Sequence, residues 1–594
     1  MDKVEARSPR TGAGSSSAPV PFSISPQQLP EDPKELEKVF NSLPIQSQLD
    51  FISRARGKER LHYLLLLKNP EPIVQQLPGL EIFLTVKEVG EKDALPLISL
   101  TTPEQFQFLL DLDLWKKDAL NSEKTLHWLE ILLETGERKI AQFIHSAGPE
   151  FMTLLLKPFL RVTTLEGEPV EVEEQAPHFT LDQYYFVRFI GKGTREILEP
   201  FLKIFSLIDT EAYRRLMEGF NSEIESELEE TAYRLRNGRL AEFGFPEFEE
   251  ALEIYRFVHP DSPIFNERTA PAESPMESRK SQAAFYLIFL DEAPFFSSIL
   301  AKIDNPLEQD RVKVEMAALC NKAMIAEAMD LSDPKEIERI SKKVFHYLNM
   351  GLQYLSREEE TRALDILHFL PLQKLFQCGV SLTLLLKRKA ETLLRGRWFE
   401  GDRENLILLD SPYLERFEGV LKKRPELHRK EKAEDFKDLR DLRETEDLLC
   451  IVTAAVDFLE KQLGVSPRSL KKLDLGECHP QDWREMTLST LFLTAIANQV
   501  LKGSFRFEAI ERARLNDLFS LIFERDEQRK AVIRMEIKRS LKDRFDSIES
   551  DEDKRNHLLA FRDFCLDLLE EEFGNIHPGE EIDPRFLKGL LICK

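Results

Sequence analysis

TTPEQFQFLLDLDL, residues Thr101–Leu114, reads as the opening of a helix. Thr102 is a residue type whose side-chain oxygen accepts a backbone N–H left over in the first turn, and Gln105 three residues on completes a capping box. Pro103, at the first helical position, gives up an N–H that has no partner there. Phe106, Leu109, Leu110 and Leu114 then fall on one helical face. The pairing of a cap residue with proline recurs at Asp32-Pro33, Asn69-Pro70, Asn305-Pro306, Asp333-Pro334, Ser411-Pro412 and Ser466-Pro467. A chain punctuated this way predicts a succession of separate helices and a mainly α protein.

Outward from Thr101 the rhythm continues. Ser122 is expected to cap a helix with Leu126, Leu129 and Leu133 inward, and Pro149 to open another with Phe151, Leu154 and Leu155 inward. Pro-Glu recurs at Pro70, Pro103 and Pro149 at unequal spacing, which suits an irregular, solenoid-like stack of helical hairpins over residues 33–258. A small β insertion near 159–189 interrupts it. LRVTTLEGEPVEVEE reads as a short hairpin around Gly167, and QYYFVRF is also strand-like. Helices resume near Thr194, and Asn237-Gly238 reads as a left-handed helix end.

A chain of 594 residues exceeds one ordinary core. Residues 1–32, rich in Pro, Ser and Gly, are expected to be a disordered tail. HPDSPIFNERTAPAESPMESRK, residues 259–280, is the expected linker between units. A helical-bundle unit is expected over 281–594, with a charged, exposed connection near 401–445. Within it Ile337, Val344 and Gly351 alternate with Ile340, Tyr347 and Tyr354 at heptad-like intervals, and Gly351 admits a close neighbouring helix.

The formal charge is −23, with 42% hydrophobic and 31% charged residues. An acidic surface repels phosphate backbones and anionic headgroups, which disfavours nucleic acid as a partner. The basic stretch 421–440 lacks interleaved aromatics and reads as a solvated helix laced with charge pairs. Six cysteines without close pairs do not read as a disulfide framework. The N-terminus has no apolar segment of signal-peptide length, and the most apolar helix, around Leu488 to Leu501, is too short to span a bilayer. A cytoplasmic location is expected, with no transmembrane segment.

Chemical motifs are sparse. GKGT at Gly191–Thr194 lacks the glycine a phosphate loop needs five positions earlier, where Phe186 stands. His127/Glu130, Asp365/His368 and Cys478-His479 are lone pairs without a second cluster, so neither a metal nor a cofactor is expected. The most unusual chemistry is AYRLRNGRLAEFGFPEFEEALEIY, residues 232–255. It sets Arg234, Arg236 and Arg239 before a turn, and Glu247, Glu249, Glu250 and Glu253 after it. Folded back, these are expected to pair across a hairpin, either as a polar pocket or as ordinary salt bridges.

RLHYLLLLKNPEPIVQQLP, DALPLISLTTPEQFQFLLDLDLWKKD, RNGRLAEFGFPEFEEALEIY and the ending DPRFLKGLL resemble a large uncharacterised bacterial protein family. That resemblance covers most of the chain and implies no activity. Residues 60–160 are also faintly similar in leucine-rich rhythm to the helical repeats of magnesium transporters and flagellar motor-switch proteins. Stacked hairpins expose long surfaces, so the expected function is a non-catalytic interaction scaffold or regulator with a protein partner. The rival is an enzyme with its site in a helical cleft around the corner at 234–253.

Overall fold

The structure is a computed structural model and describes residues 32–116, 119–164, 179–222, 225–268, 286–429, 432–525, 531–573 and 587–593. Helix dominates. Pro33, Pro103, Pro306, Pro334 and Pro467 are first residues of helices. Pro70 and Pro412 each stand one residue before theirs. The capping box at Thr102 forms: its hydroxyl accepts the Gln105 N–H at 3.1 Å, and the Gln105 side chain accepts the Thr102 N–H at 2.9 Å. One cap shifts by a residue. The helix Ser122–Thr135 is capped by Asn121, whose side chain accepts the Lys124 N–H.

Two compact units emerge. The first holds the described chain up to Phe245, with Asp330–Glu336; the second holds the described residues from Pro246 to Met329 and from Ile337 onward. The division at Phe245 lies ahead of the stretch 259–280. The described part of that stretch, 259–268, carries a 3₁₀ turn at Pro263–Phe265 whose Phe265 is buried in the second unit. The tail 1–31 and residues 269–280 lie outside the described residues.

In the first unit the helices between Gly57 and Ala147 form two rows. Gly57–Leu66 packs on Gly79–Val89, which packs on Pro103–Asp113, which packs on Glu137–Ala147. In the second row Glu71–Val74 packs on Leu95–Leu100, and that helix on Ser122–Thr135. Packing each helix on the one two along is how stacked hairpins bury a shared core. Gly79 sits at one such crossing, where a β-carbon would strike the Phe108 ring. Phe106 anchors the core with Trp128 and Phe143, ring centroids 5.9 and 5.6 Å away. The β insertion is an antiparallel pair, Leu160–Thr164 with Tyr185–Phe189, and Val187 also bridges Phe179. The hairpin read around Gly167 lies outside the described residues. Gly238 does not end a helix: Glu225–Glu242 runs through it, and the left-handed glycine is Gly244, φ 84°.

In the second unit Leu439–Leu463 packs on Glu552–Phe573 and on Leu488–Lys502. Phe492 centres the core, within 6.3 Å of Phe458, Phe545 and Phe561 by ring centroid. The helices Pro334–Ser356 and Leu372–Arg395 touch through main chain, because a β-carbon on Gly351 would meet the Leu375 carbonyl and one on Gly379 the Tyr347 carbonyl. The stretch 401–445 is not an exposed connection. It contains the helix Tyr413–Val420, and Leu406, Leu408, Phe417, Leu427 and Phe436 are buried. Nor is 421–440 a solvated helix, since Leu427–Arg429 and Lys432–Glu434 pair as antiparallel strands. The apolar residues set between its charges supply the reason: Leu427 and Phe436 reach the core, and none of the described charged residues of 421–440 is buried.

Candidate anion-binding cleft

The arginines singled out at 234–239 are largely committed inside the first unit. Arg239 grips the buried Asp111 carboxylate with Nε at 2.7 Å and Nη2 at 2.8 Å, and Arg236 Nε donates to the Asp111 carbonyl at 2.7 Å. Arg234 is exposed. Phe243 and Phe245 pack on Phe108, while Phe248 is exposed. The glutamates belong to the second unit. Glu247 precedes the helix Phe248–Leu252 and Glu249 and Glu250 fall in its first turn, where negative charge suits the helix dipole. Glu250 reaches Lys322 at 3.2 Å, and the Glu253 carbonyl accepts from Gln377. Each side of the corner thus has structural work of its own.

Other buried charge is also closed on itself. A cavity of about 500 Å³ in the second unit is lined by Asp410, Ser489, Thr490, Glu572 and Lys588, among others. Burial pushes the Asp410 and Glu572 carboxyls up from their ordinary values. Yet Asp410 accepts the Ser489 N–H at 3.0 Å and its hydroxyl at 2.5 Å, at the start of the helix Leu488–Lys502. Glu572 accepts the Lys588 and Gly589 N–H groups at 3.0 and 3.1 Å. These carboxyls hold a helix start and the C-terminal segment in place. In the first unit Lys139 is buried against Thr101, its Nζ 2.8 Å from the hydroxyl, and burial lowers its amine to about 8. His127 sits 4.0 Å from both Glu91 and Glu130, half-exposed, and His368 pairs with Glu308. No group of His, Cys, Asp and Glu suited to a metal occurs among the described residues.

One cleft differs. The helix Pro334–Ser356 closes with two main-chain bonds, Arg357 N–H to the Tyr354 carbonyl at 3.2 Å and Glu358 N–H to the Gln353 carbonyl at 3.0 Å. This pairing is a Schellman end, whose first residue past the helix is left-handed and customarily glycine. Here that residue is Arg357, φ 55°, followed by Glu358, φ 60°. A side chain in that conformation costs about 1 kcal/mol or more. Arg362 then falls in the first turn of Glu360–Phe369, and Arg443 just past the first turn of Leu439–Leu463. At Arg362 a cation faces the positive end of a helix dipole, an effect that fades within the first turn.

These three arginines line one cleft of about 440 Å³ in the second unit. None of the three guanidinium groups makes a hydrogen bond or ion pair among the described residues. The carboxylates nearest Arg443 in sequence are taken: Asp441 by Arg429 at 2.6 Å, and Glu444 by Arg429 and Arg440 at 3.0 and 2.9 Å. Two carboxylates also line the cleft. Asp261 accepts the Tyr354 hydroxyl at 2.9 Å, and Glu358 accepts from Gln353 at 3.4 Å. Burial first, then that bond to Asp261, push the Tyr354 phenol up to about 12, so it stays a neutral donor. Buried Phe265, Leu355 and Leu439 supply apolar lining. Three cations, two of them placed against a local rule, converge on one space without side-chain partners. Sequence reasoning missed them because Arg443 lies 81 residues beyond Arg362, and the cleft is assembled from three segments, 260–266, 353–362 and 439–443. The one local signal was a helix end, YLSREEE, with arginine where glycine is customary.

A model described as "Family of unknown function (DUF6178)" matches residues 37–593, which takes in both units. No curated protein and no solved structure matches the chain. No helix among the described residues is long and apolar enough to cross a membrane.

Proposed function

The chain belongs to this family of unknown function, which brings no activity with it; from its own geometry we propose that it is a non-catalytic regulator that binds a small anion in the arginine cleft. The observation that carries the reading is the convergence of Arg357, Arg362 and Arg443, unpartnered among the described residues, on one cleft in a chain of net charge −23. Local strain and dipole conflict are tolerated where function needs them. Guanidinium groups match carboxylate and phosphate oxygens in pairs, and a partly enclosed cleft strengthens such bonds. The scaffold role, a protein partner and a cytoplasmic setting, all expected from the sequence, belong to the same proposal: anion capture controls an interaction made elsewhere on the helical surface. The rival enzyme at 234–253 has less support, because Arg236 and Arg239 are already engaged by Asp111.

The test is equilibrium dialysis of the full chain with radiolabelled inorganic phosphate at low ionic strength. Saturable binding is expected, weakening as salt screens the cleft and falling about tenfold or more in Arg443→Ala, the scale of one lost charge-assisted hydrogen bond. Absence of saturable binding, or binding indifferent to Arg443→Ala, overturns the reading.

A further inference from the structure

Resting on that reading, we infer that the anion is an organic phosphate ester with a hydroxyl-bearing body, and that Asp261 selects for that body. At about 440 Å³ the cleft falls in the range of sites that enclose whole small molecules. Inorganic phosphate alone would leave room for on the order of ten waters, each with its share of about 30 Å³.

Acceptors and donors stand beside the cations: the Asp261 carboxylate, the Asn266 and Gln353 amides and the Tyr354 hydroxyl. A site built only for anions gains nothing from a carboxylate, which repels the ligand. Asp261 Oδ1 is held by Tyr354 Oη at 2.9 Å, and its Oδ2 lies 3.8 Å from His259 Nδ1, beyond hydrogen-bond reach. One carboxylate oxygen accepts from Tyr354 and the other keeps acceptor capacity, in a side chain that is 73% exposed. A carboxylate positioned that way recognises a ligand O–H, as a carboxylate does for ribose hydroxyls at dinucleotide sites. Polycarboxylates without hydroxyls lack the matching donor. Phosphate esters of sugars, polyols and nucleosides carry both halves: oxygens for Arg357, Arg362 and Arg443, and hydroxyls for Asp261.

The experiment is titration calorimetry of the full chain with inorganic phosphate, glycerol 3-phosphate, ribose 5-phosphate and adenosine 5′-monophosphate, and with ribose as the uncharged control. At least one ester is expected to bind tenfold or more tighter than inorganic phosphate, with ribose alone not binding. Asp261→Asn narrows that preference to within about threefold, the loss expected for one charged hydrogen bond. Arg443→Ala weakens ester and phosphate together. If every ester binds like inorganic phosphate, or if Asp261→Asn keeps the preference, this inference fails while the anion reading stands. If inorganic phosphate does not bind, the anion reading fails, and this inference fails with it. Circular dichroism of each variant confirms that a loss is not unfolding.

Discussion

Replacing Arg357 by glycine separates strain from function at a single position. The left-handed backbone costs an L-residue about 1–2 kcal/mol. Glycine removes that cost but brings about 0.5–1 kcal/mol of extra chain entropy to be lost on folding. The net gain is about 0.5–1 kcal/mol, and the two Schellman bonds, at 3.2 and 3.0 Å, need no side chain to survive. A gain of this size shifts the melting temperature of a large unit by about 2 °C or less, so denaturant midpoints are the better readout. Anion binding should move the other way, weakening about tenfold or more with the guanidinium gone. Arg357→Ala is the control: it keeps the strain, loses the cation, and should lose binding without gaining stability. Arg357→Gly no more stable than Arg357→Ala refutes the strain argument. Arg357→Gly binding anion as well as the parent removes Arg357 from the cleft's chemistry.

Arg239→Ala should destabilise the first unit by about 2–3 kcal/mol, read by chemical unfolding; breaking a buried pair costs 3–5 kcal/mol, discounted here because the Arg239 side chain is 35% exposed. An unchanged midpoint would mean that Gln107, 3.0 Å from Asp111, suffices alone. Asp410→Asn tests the raised carboxyl. A native group that holds its proton more tightly than the unfolded chain contributes stability that is present below about pH 4 and lost as pH rises through the native value. Asn does not titrate, so the variant should gain on the parent as pH climbs through that window, and parallel stability–pH curves would refute the reading.

How much was legible follows from which interactions are local. Caps and first-turn prolines act within four residues, so Thr102/Gln105, Asn305-Pro306 and Ser466-Pro467 announced their helices. Glycine at a helix crossing was legible too, and Gly351 does lie against the neighbouring helix. Composition misled at 401–445, where charge outvoted the leucines that turned out to be buried. Gly238 looked like an end because glycine often is one, yet helix packing on either side carried the chain past it. For the corner, proximity along the chain suggested Arg–Glu pairs. The partner of Arg239 was Asp111, 128 residues away, and nothing in the local sequence could have named it. The arginine cleft has the same character, assembled from three segments whose convergence only the fold supplies.

The contact between Gly351 and Gly379 is a joint without rotamers. Most helix crossings are spaced by side chains, and each side chain can hop, repack or be substituted. Here one main chain rests on another, six residues and about 9 Å of helix axis before Arg357. Neighbouring core residues can therefore drift through evolution while the helix end, and the arginine on it, keep their station. Little of the cost of capture then falls on moving backbone. It falls on stilling three long side chains, at about 0.5–1.5 kcal/mol each, which leaves the cleft's selectivity to the chemistry of its lining.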